Sequence, residues 1–519
     1  MKQNFCRRLL VIIVLIAGAF GGSFSISKAS IAFASAKDSL LWGVNAEASS
    51  LDPATSKDTV THMMMYQIYD TLVKESPEDY NRLIPGLAES WEFNEDSTKV
   101  IFHLRKGVKF HNGDTMTADD VFFSLQRSLE SSYSSGINVA IDRFEKVGDM
   151  SVACVLKYPY APILDVLTNM TFSIISRRAV EEAEAGGIDL ARNPCGTGAY
   201  KLKEWRSGDA LLLERFDDYY GGPAPIRKIT YKLIPDAASG AIALEDGTLD
   251  VYYLVAATDY AYLKSLDHIS YVSCPGVGMH HITFNVTDGI FSDKRIRQAV
   301  AYALNRDDIV IGGAEGHAKA GNCPVPTSVF GYIDDFEWYE QDLEKAKALL
   351  AEAGYPEGFR VVFSMQGSAT YMRPAEVVQD QMRRIGINVV FDQMERAAYL
   401  SDVAAKRNFV ASLRMINAVV RDADYTLTRR FHSSLLGGGN NYSGYSNPEA
   451  DVLIEQARKE SDSTERLRLY RKLYEILRED VPLLPIYSDT VHMFFTSKLK
   501  NFYPHPVFRH PVREMYFEK

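Results

Sequence analysis

From Ser39 onward the chain switches repeatedly between two spacings of apolar residues, and the switching predicts the fold class. Ser39 to Val44 is a short apolar run that reads as a buried strand, and Leu51-Asp-Pro53 behind it reads as a turn. His62 to Val73 changes period, with Met63, Tyr66, Ile68 and Tyr69 at helical spacing, and predicts one helix. Val100 to Leu104, Ser151 to Tyr158, Leu211 to Arg215 and Lys228 to Ile234 alternate as strands do, with Gly221-Gly-Pro-Ala-Pro225 punctuating the last two. Two amphipathic helices follow. Asp342 to Ala353 aligns Leu343, Ala346, Leu349 and Leu350 and stops at Gly354, and Ser463 to Leu477 aligns Leu467, Leu469, Leu473 and Ile476. No internal repeat is visible, and the mixed periods predict an α/β chain.

The first 36 residues have a different pattern. Lys2, Arg7 and Arg8 precede an apolar run from Leu9 to Phe20, and small residues follow at Ala32-Phe-Ala34 and Ala34-Ser-Ala36. This is the layout of a cleaved secretory signal peptide (1–36), with cutting after Ala34 or Ala36. The apolar run is shorter than the roughly 18–20 residues that span a bilayer, which argues against a permanent anchor. Cys6 lies ahead of the run, so it is not placed to become a lipidated N-terminus. Removing 1–36 takes away four of the 57 Lys+Arg and none of the 67 Asp+Glu, so net charge moves from −10 to near −14. That surplus disfavours nucleic acid and anionic membranes as partners. The remaining length, out of 519 residues, calls for two or three domains. Aromatics at 11% suit both core packing and an aromatic-lined pocket.

The chemistry-bearing motifs are mostly missing. There is no Gly-x-Ser-x-Gly, His-Glu-x-x-His, phosphate-binding glycine loop or dinucleotide fingerprint. Cys154, Cys195, Cys274 and Cys323 form no CxxC pair and match no zinc spacing. In an oxidising compartment they allow three disulfide pairings, of which Cys154–Cys195 and Cys274–Cys323 close the shorter loops. His280-His281 on a strand would point to opposite faces, making poor co-ligands of one ion, so no metal site is expected.

Three blocks early in the chain carry a different signal: Leu87-Ala-Glu-Ser-Trp-Glu92, Leu104-Arg-Lys-Gly-Val-Lys-Phe-His-Asn-Gly113 and Thr117-Ala-Asp-Asp-Val-Phe122. Tyr69-Asp-Thr-Leu-Val73 precedes them, and Asn193-Pro-Cys-Gly-Thr-Gly-Ala-Tyr200, Asp217-Asp-Tyr-Tyr220, Ala303-Leu-Asn-Arg306, Glu352-Ala-Gly-Tyr355 and Tyr445-x-Asn-Pro-x-x-Asp451 follow in order. Together they resemble the extracellular solute-binding proteins of family 5, the peptide/nickel class. The resemblance implies a two-lobed periplasmic-binding-protein fold of the large peptide-binding type, with an inserted subdomain and a hinge-flanked ligand cleft. Lobe I would comprise 37–78, 201–288 and 489–519, the inserted subdomain 79–200, and lobe II 289–488. It also implies a monomeric periplasmic receptor, without catalysis or cofactor, that hands a peptide or small solute to an inner-membrane ABC permease and its ATPase subunits.

Peptide-binding members carry an Asp that pairs with the ligand's α-ammonium, three residues ahead of an Asp-Pro-Asp motif. Here Asp422-Ala-Asp424 matches that motif, which puts Val419 at the ammonium position, with Arg421 between. Either Asp422 or Asp424 takes over, or the ligand has no free amine, and the second reading is favoured. Arg373, Arg414 and Arg421 are candidates for a carboxylate or phosphate, each with a plain salt bridge as the alternative. Tyr371, Tyr425 and Tyr442 are aromatic cleft candidates, Gly437 to Asn441 a loop that could approach ligand, and His432 the one histidine to watch. The expected solute is peptide-like or anionic. The alternatives are a generic dipeptide or oligopeptide receptor, a nickel- or haem-chelate binder and, most distantly, a secreted hydrolase.

Overall fold

A computed structural model describes residues 37–56, 58–436 and 440–518. The signal-peptide expectation and Gly437 to 439 of the glycine loop therefore lie outside the described residues. The main sheet has eleven strands. Ten follow the order Ile387–Met394, Phe359–Gln366, Ala411–Asn417, Ile269–Phe284, Leu483–Thr496, Val251–Tyr252, Ser39–Val44, Lys228–Leu233, Ala210–Arg215 and Tyr200–Arg206. Ala318–Ala320 joins beside Leu483–Thr496. A separate four-stranded sheet is built from Ala88–Phe93, Lys99–Leu104, Ser151–Leu156 and Ile141–Gly148.

Two long strands, Ile269–Phe284 and Leu483–Thr496, pair antiparallel along most of their length and connect two different cores. Cys274, Val491, Met493 and Phe495 pack with Trp42, Tyr200 and Tyr231. Met279, Ile282, Phe284, Leu483, Leu484 and Ile486 pack with Val300, Phe363, Leu413 and Tyr474. The register shifts between Pro275 and Met279, where the chain passes from one core to the other. The buried residues of the second core begin on this strand at Met279, because one strand serves both cores. A third core surrounds Phe102, Phe110, Val121, Phe144 and Phe172, within the stretch that holds the four-stranded sheet.

Local signals explain most element ends. Asp342 caps Leu343–Glu352 by accepting from Lys345 N (2.9 Å), and Asp462 caps Ser463–Asp480 through Glu465 N (2.8 Å). Thr117 and Asp120 form a reciprocal capping box on Ala118–Glu130. The helix expected over His62 to Val73 is Thr59–Ile68 instead. Tyr69 leaves in an extended conformation, its hydroxyl donates to Leu51 O (2.9 Å), and Val73–Glu75 pairs with Leu83–Pro85. The helical spacing of Tyr69 thus belongs to a buried turn, so that part of the expectation fails. Gly196 and Gly198 explain why the turn is so tight. A Cβ on Gly196 would sit 2.2 Å from Ile68 O and one on Gly198 2.5 Å from Gln67 O, so only glycine lets this loop close on the helix end.

All four cysteines among the described residues are buried free thiols. Cys274 and Cys323 belong to different cores, and Cys323 Sγ donates to Ile333 O (3.3 Å), so the disulfides allowed by parity are not formed. Burial raises the thiols of Cys274 and Cys323 to about 12, which keeps them protonated.

Candidate functional site

The expected site residues fall into two groups along one stretch of chain. Strand Ala411–Asn417 carries Arg414, Val419 follows it, and Arg421 and Asp422 lead into helix Ala423–Phe431. Val419 is 41% exposed, while Val420 and Tyr425 pack against the core around Phe102 and Phe172. The segment therefore bridges the large sheet's second core and the smaller four-stranded unit. A backbone bond from Ala161 N to Arg458 O (3.1 Å) adds to that junction.

Arg421 is buried at the junction. Its Nη2 lies 3.5 Å from Glu75 Oε1 and 3.8 Å from Asp165 Oδ1, and Nη1 donates to Asn81 Oδ1 (3.3 Å). Glu75 also accepts from Arg509 Nη1 (2.7 Å) and Thr168 Oγ1 (3.1 Å). Burial raises the Asp165 carboxyl to about 7, against the pull of Arg421 and with the help of Asp422 and Glu75. Asp422 caps the helix through Asp424 N (2.9 Å) and accepts two bonds from Arg466, both at 2.8 Å. Asp424 accepts from Arg458 Nε (2.9 Å) and Thr428 Oγ1 (3.0 Å). Both carboxylates are thus committed to internal guanidinium groups.

The second group is built on the other end of the strand. Arg414 is 8% exposed and lies over the Tyr442 ring at 3.6 Å, with Tyr399 at 5.5 Å. Arg430, at the end of Ala423–Phe431, stacks on Tyr442 from 4.5 Å, and its Nη1 donates to Asn440 O (3.0 Å). Burial favours the neutral form of Arg430 and of His281, and the positive charge of Arg414 adds to both effects. Burial alone would raise the Tyr442 phenol, but Arg430 and Arg414 outweigh it and hold the phenol below its ordinary value. Tyr371 lies close enough for Tyr399 and Arg414 to weigh on its phenol, and on another side its ring is 5.6 Å from that of His280, which stacks on Tyr487 at 4.3 Å.

Arg373 sits apart. It lies in helix Ala369–Arg383, is exposed, and pairs with Glu315. His432 is occupied as a cap, accepting from Ser434 N (3.2 Å), with Glu455 Oε1 3.3 Å from its Nε2. Among the described residues no cluster of three or more His, Cys, Asp or Glu could hold a metal ion. Arg430 and Tyr399 were not legible as site residues. The adjacent Arg429-Arg430 pair at the end of an amphipathic helix was the available signal, but such a pair reads first as a favourable end charge. Glu75, Asp165 and Arg509 are too distant in sequence to be associated with Arg421.

Residues 82–437 match the family model for bacterial extracellular solute-binding proteins, family 5. The chain belongs to that family. Members of family 5 are solute-binding proteins rather than enzymes, and this chain has their two-lobed α/β fold and substrate-binding role. The dipeptide-binding protein of Escherichia coli (strain K12) is 29% identical, covering 87% of this chain and 89% of that protein. A structure described as HbpA2 from Haemophilus parasuis superposes with a TM-score of 0.85 at 26% identity, over 93% of this chain and all of that one. A third, described as AgaA in complex with agropinic acid from A.tumefacien R10, gives a TM-score of 0.76 at 25% identity. It covers 93% of this chain and 99% of that one.

Proposed function

We propose that this family 5 protein is a monomeric periplasmic receptor for a peptide-like or anionic small solute that presents no free amine to the Val419–Asp424 segment. The observation that carries the reading is the commitment of Asp422 and Asp424 to Arg466 and Arg458, with uncharged Val419 beside them. A ligand ammonium there would be desolvated without a partner, at a cost that forbids tight binding. The AgaA neighbour, in complex with an acid, is consistent with this.

The lobes would run over 37–78, 201–288 and 489–519 for the first, 79–200 for the inserted subdomain and 289–488 for the second, and the separate cores around Trp42 and Phe363 are in keeping with two lobes. The solute would bind between the lobes, and closure would present it to an inner-membrane ABC permease with its ATPase subunits. The differential affinity of that permease for the closed form would make uptake depend on ligand. A leader cleaved near Ala34 or Ala36 would place the protein in the periplasm. The second reading, a general dipeptide or oligopeptide carrier, has the Escherichia coli relative in its favour.

Native mass spectrometry of the purified mature protein, repeated after denaturation, separates the two. A single defined non-peptide mass is the expected result. A family of masses fitting mixed short peptides would overturn the amine-free reading and leave a general carrier.

A further inference from the structure

The group around Tyr442 has more positive charge than its surroundings neutralise. Arg414 is more than nine-tenths buried, its Nη1 has no hydrogen-bond partner, and among the described residues it forms no ion pair. Its nearest companions are another guanidinium, Arg430, and two phenols, Tyr442 and Tyr399. The charges that weigh on Tyr442 are Arg430, Arg414 and Arg429, all positive. The buried arginines of the first group each have a carboxylate, Arg421 and Arg509 sharing Glu75 and Arg466 taking Asp422, and buried Arg297 is satisfied by the carbonyls of Phe291 and Asp480. A buried guanidinium without a counter-charge loses hydration, and here the two rings replace only part of it, since Nη1 has no acceptor. Two more polar atoms beside it are also unpartnered, His281 Nε2 and Asn440 Oδ1. Arg430 and Tyr442 are only half-buried, so the group is open to solvent on that side.

We propose that Arg414 and Arg430, clasping Tyr442 from its two stacking contacts, form an oxyanion subsite that holds a carboxylate or phosphate group of the bound solute. The Arg414 fork supplies the paired donors that such a planar or tetrahedral anion accepts. Arg430 supplies charge, and the Tyr442 hydroxyl supplies a third donor. Aromatic stacking fixes both guanidinium planes before ligand arrives, so little side-chain entropy is lost on binding. An arriving anion would also remove the conflict between two like charges. The subsite deepens the anionic-solute reading and rests on it for the role of the bound anion.

The test measures thermal shift and isothermal titration on the mature protein, with succinate and inorganic phosphate as probes at ionic strength matched by sodium chloride. At least one probe should stabilise the wild type and an R360Q control, since Arg360 is exposed and lies on the neighbouring strand ahead of the Phe363 and Ser364 positions that pair with Ala411 and Ser412. R414Q and R430Q should each weaken that probe about tenfold or more, as loss of a charge-assisted bond predicts. R414K, which keeps charge without the fork, should fall between and guards against a misfolded R414Q. Alkaline difference spectra of wild type against Y442F should show the Tyr442 phenol ionising later once the probe binds. Response to succinate alone assigns a carboxylate, and response to phosphate alone a phosphate. Absence of any shift, or a shift that R414Q retains in full, overturns the subsite. Mixed peptides in the native mass spectrum would instead overturn the amine-free solute, and would leave an Arg414-dependent anion response standing.

Discussion

Replacing Arg466 with Met should be among the most damaging single changes in this protein. Asp422 has 3% of its side chain exposed and takes both its short charged bonds from Arg466, at 2.8 Å each. What remains after R466M is the Tyr470 hydroxyl at 3.3 Å and the amide of Asp424 at 2.9 Å, two neutral donors for one buried anion. Breaking a buried pair by removing one partner costs about 3–5 kcal/mol, mostly as the desolvation penalty of the survivor. The two neutral donors offset part of that, so the expected loss is about 3 kcal/mol. If the surviving charge is the cause, removing it must help. Asn at 422 still caps the helix, so D422N/R466M should recover about half the loss or more, a coupling that a double-mutant cycle isolates. Urea denaturation followed by circular dichroism at neutral pH supplies the three differences. An R466M protein within about 1 kcal/mol of wild type, or a double variant no more stable than R466M, would refute the argument.

Other outcomes follow from the same geometry. Asp165 is raised to about 7 by burial, opposed by Arg421 and reinforced by Asp422 and Glu75, so the folded state holds a proton that the unfolded chain releases. Its contribution is therefore fully present below the ordinary Asp value and is lost as pH rises toward 7. D165N should flatten the fall in urea midpoint between pH 5 and pH 8. G198A forces a Cβ to 2.5 Å from Gln67 O and should lower stability by about 2 kcal/mol or more, read as a drop in melting temperature. Cys154, Cys195, Cys274 and Cys323 should resist a thiol reagent in the native protein and react once it is denatured, with no change in melting temperature on adding reductant.

Much of this protein is determined by local sequence. Ser39–Val44 stands where its apolar run placed it, and Ala210–Arg215 and Lys228–Leu233 where alternation did, because apolar runs and strand period are properties of a few adjacent residues. Leu343–Glu352 and Ser463–Asp480 follow for the same reason, with Asp caps visible in the sequence. The ordered motifs from Leu87 to Asp451 were enough to name the family and, with it, a solute-binding role. Only the tertiary structure decided which charges are satisfied. Arg373, Arg414 and Arg421 look equivalent in sequence, yet one meets Glu315 at the surface, one meets Glu75 and Asp165 where two cores adjoin, and Arg414 meets no acid among the described residues. Those partners lie tens to hundreds of positions away, and Coulomb energy depends on distance and burial in space, neither of which local spacing records. The same holds for the cysteines, since an even count permits disulfides but separate cores forbid Cys274 from reaching Cys323.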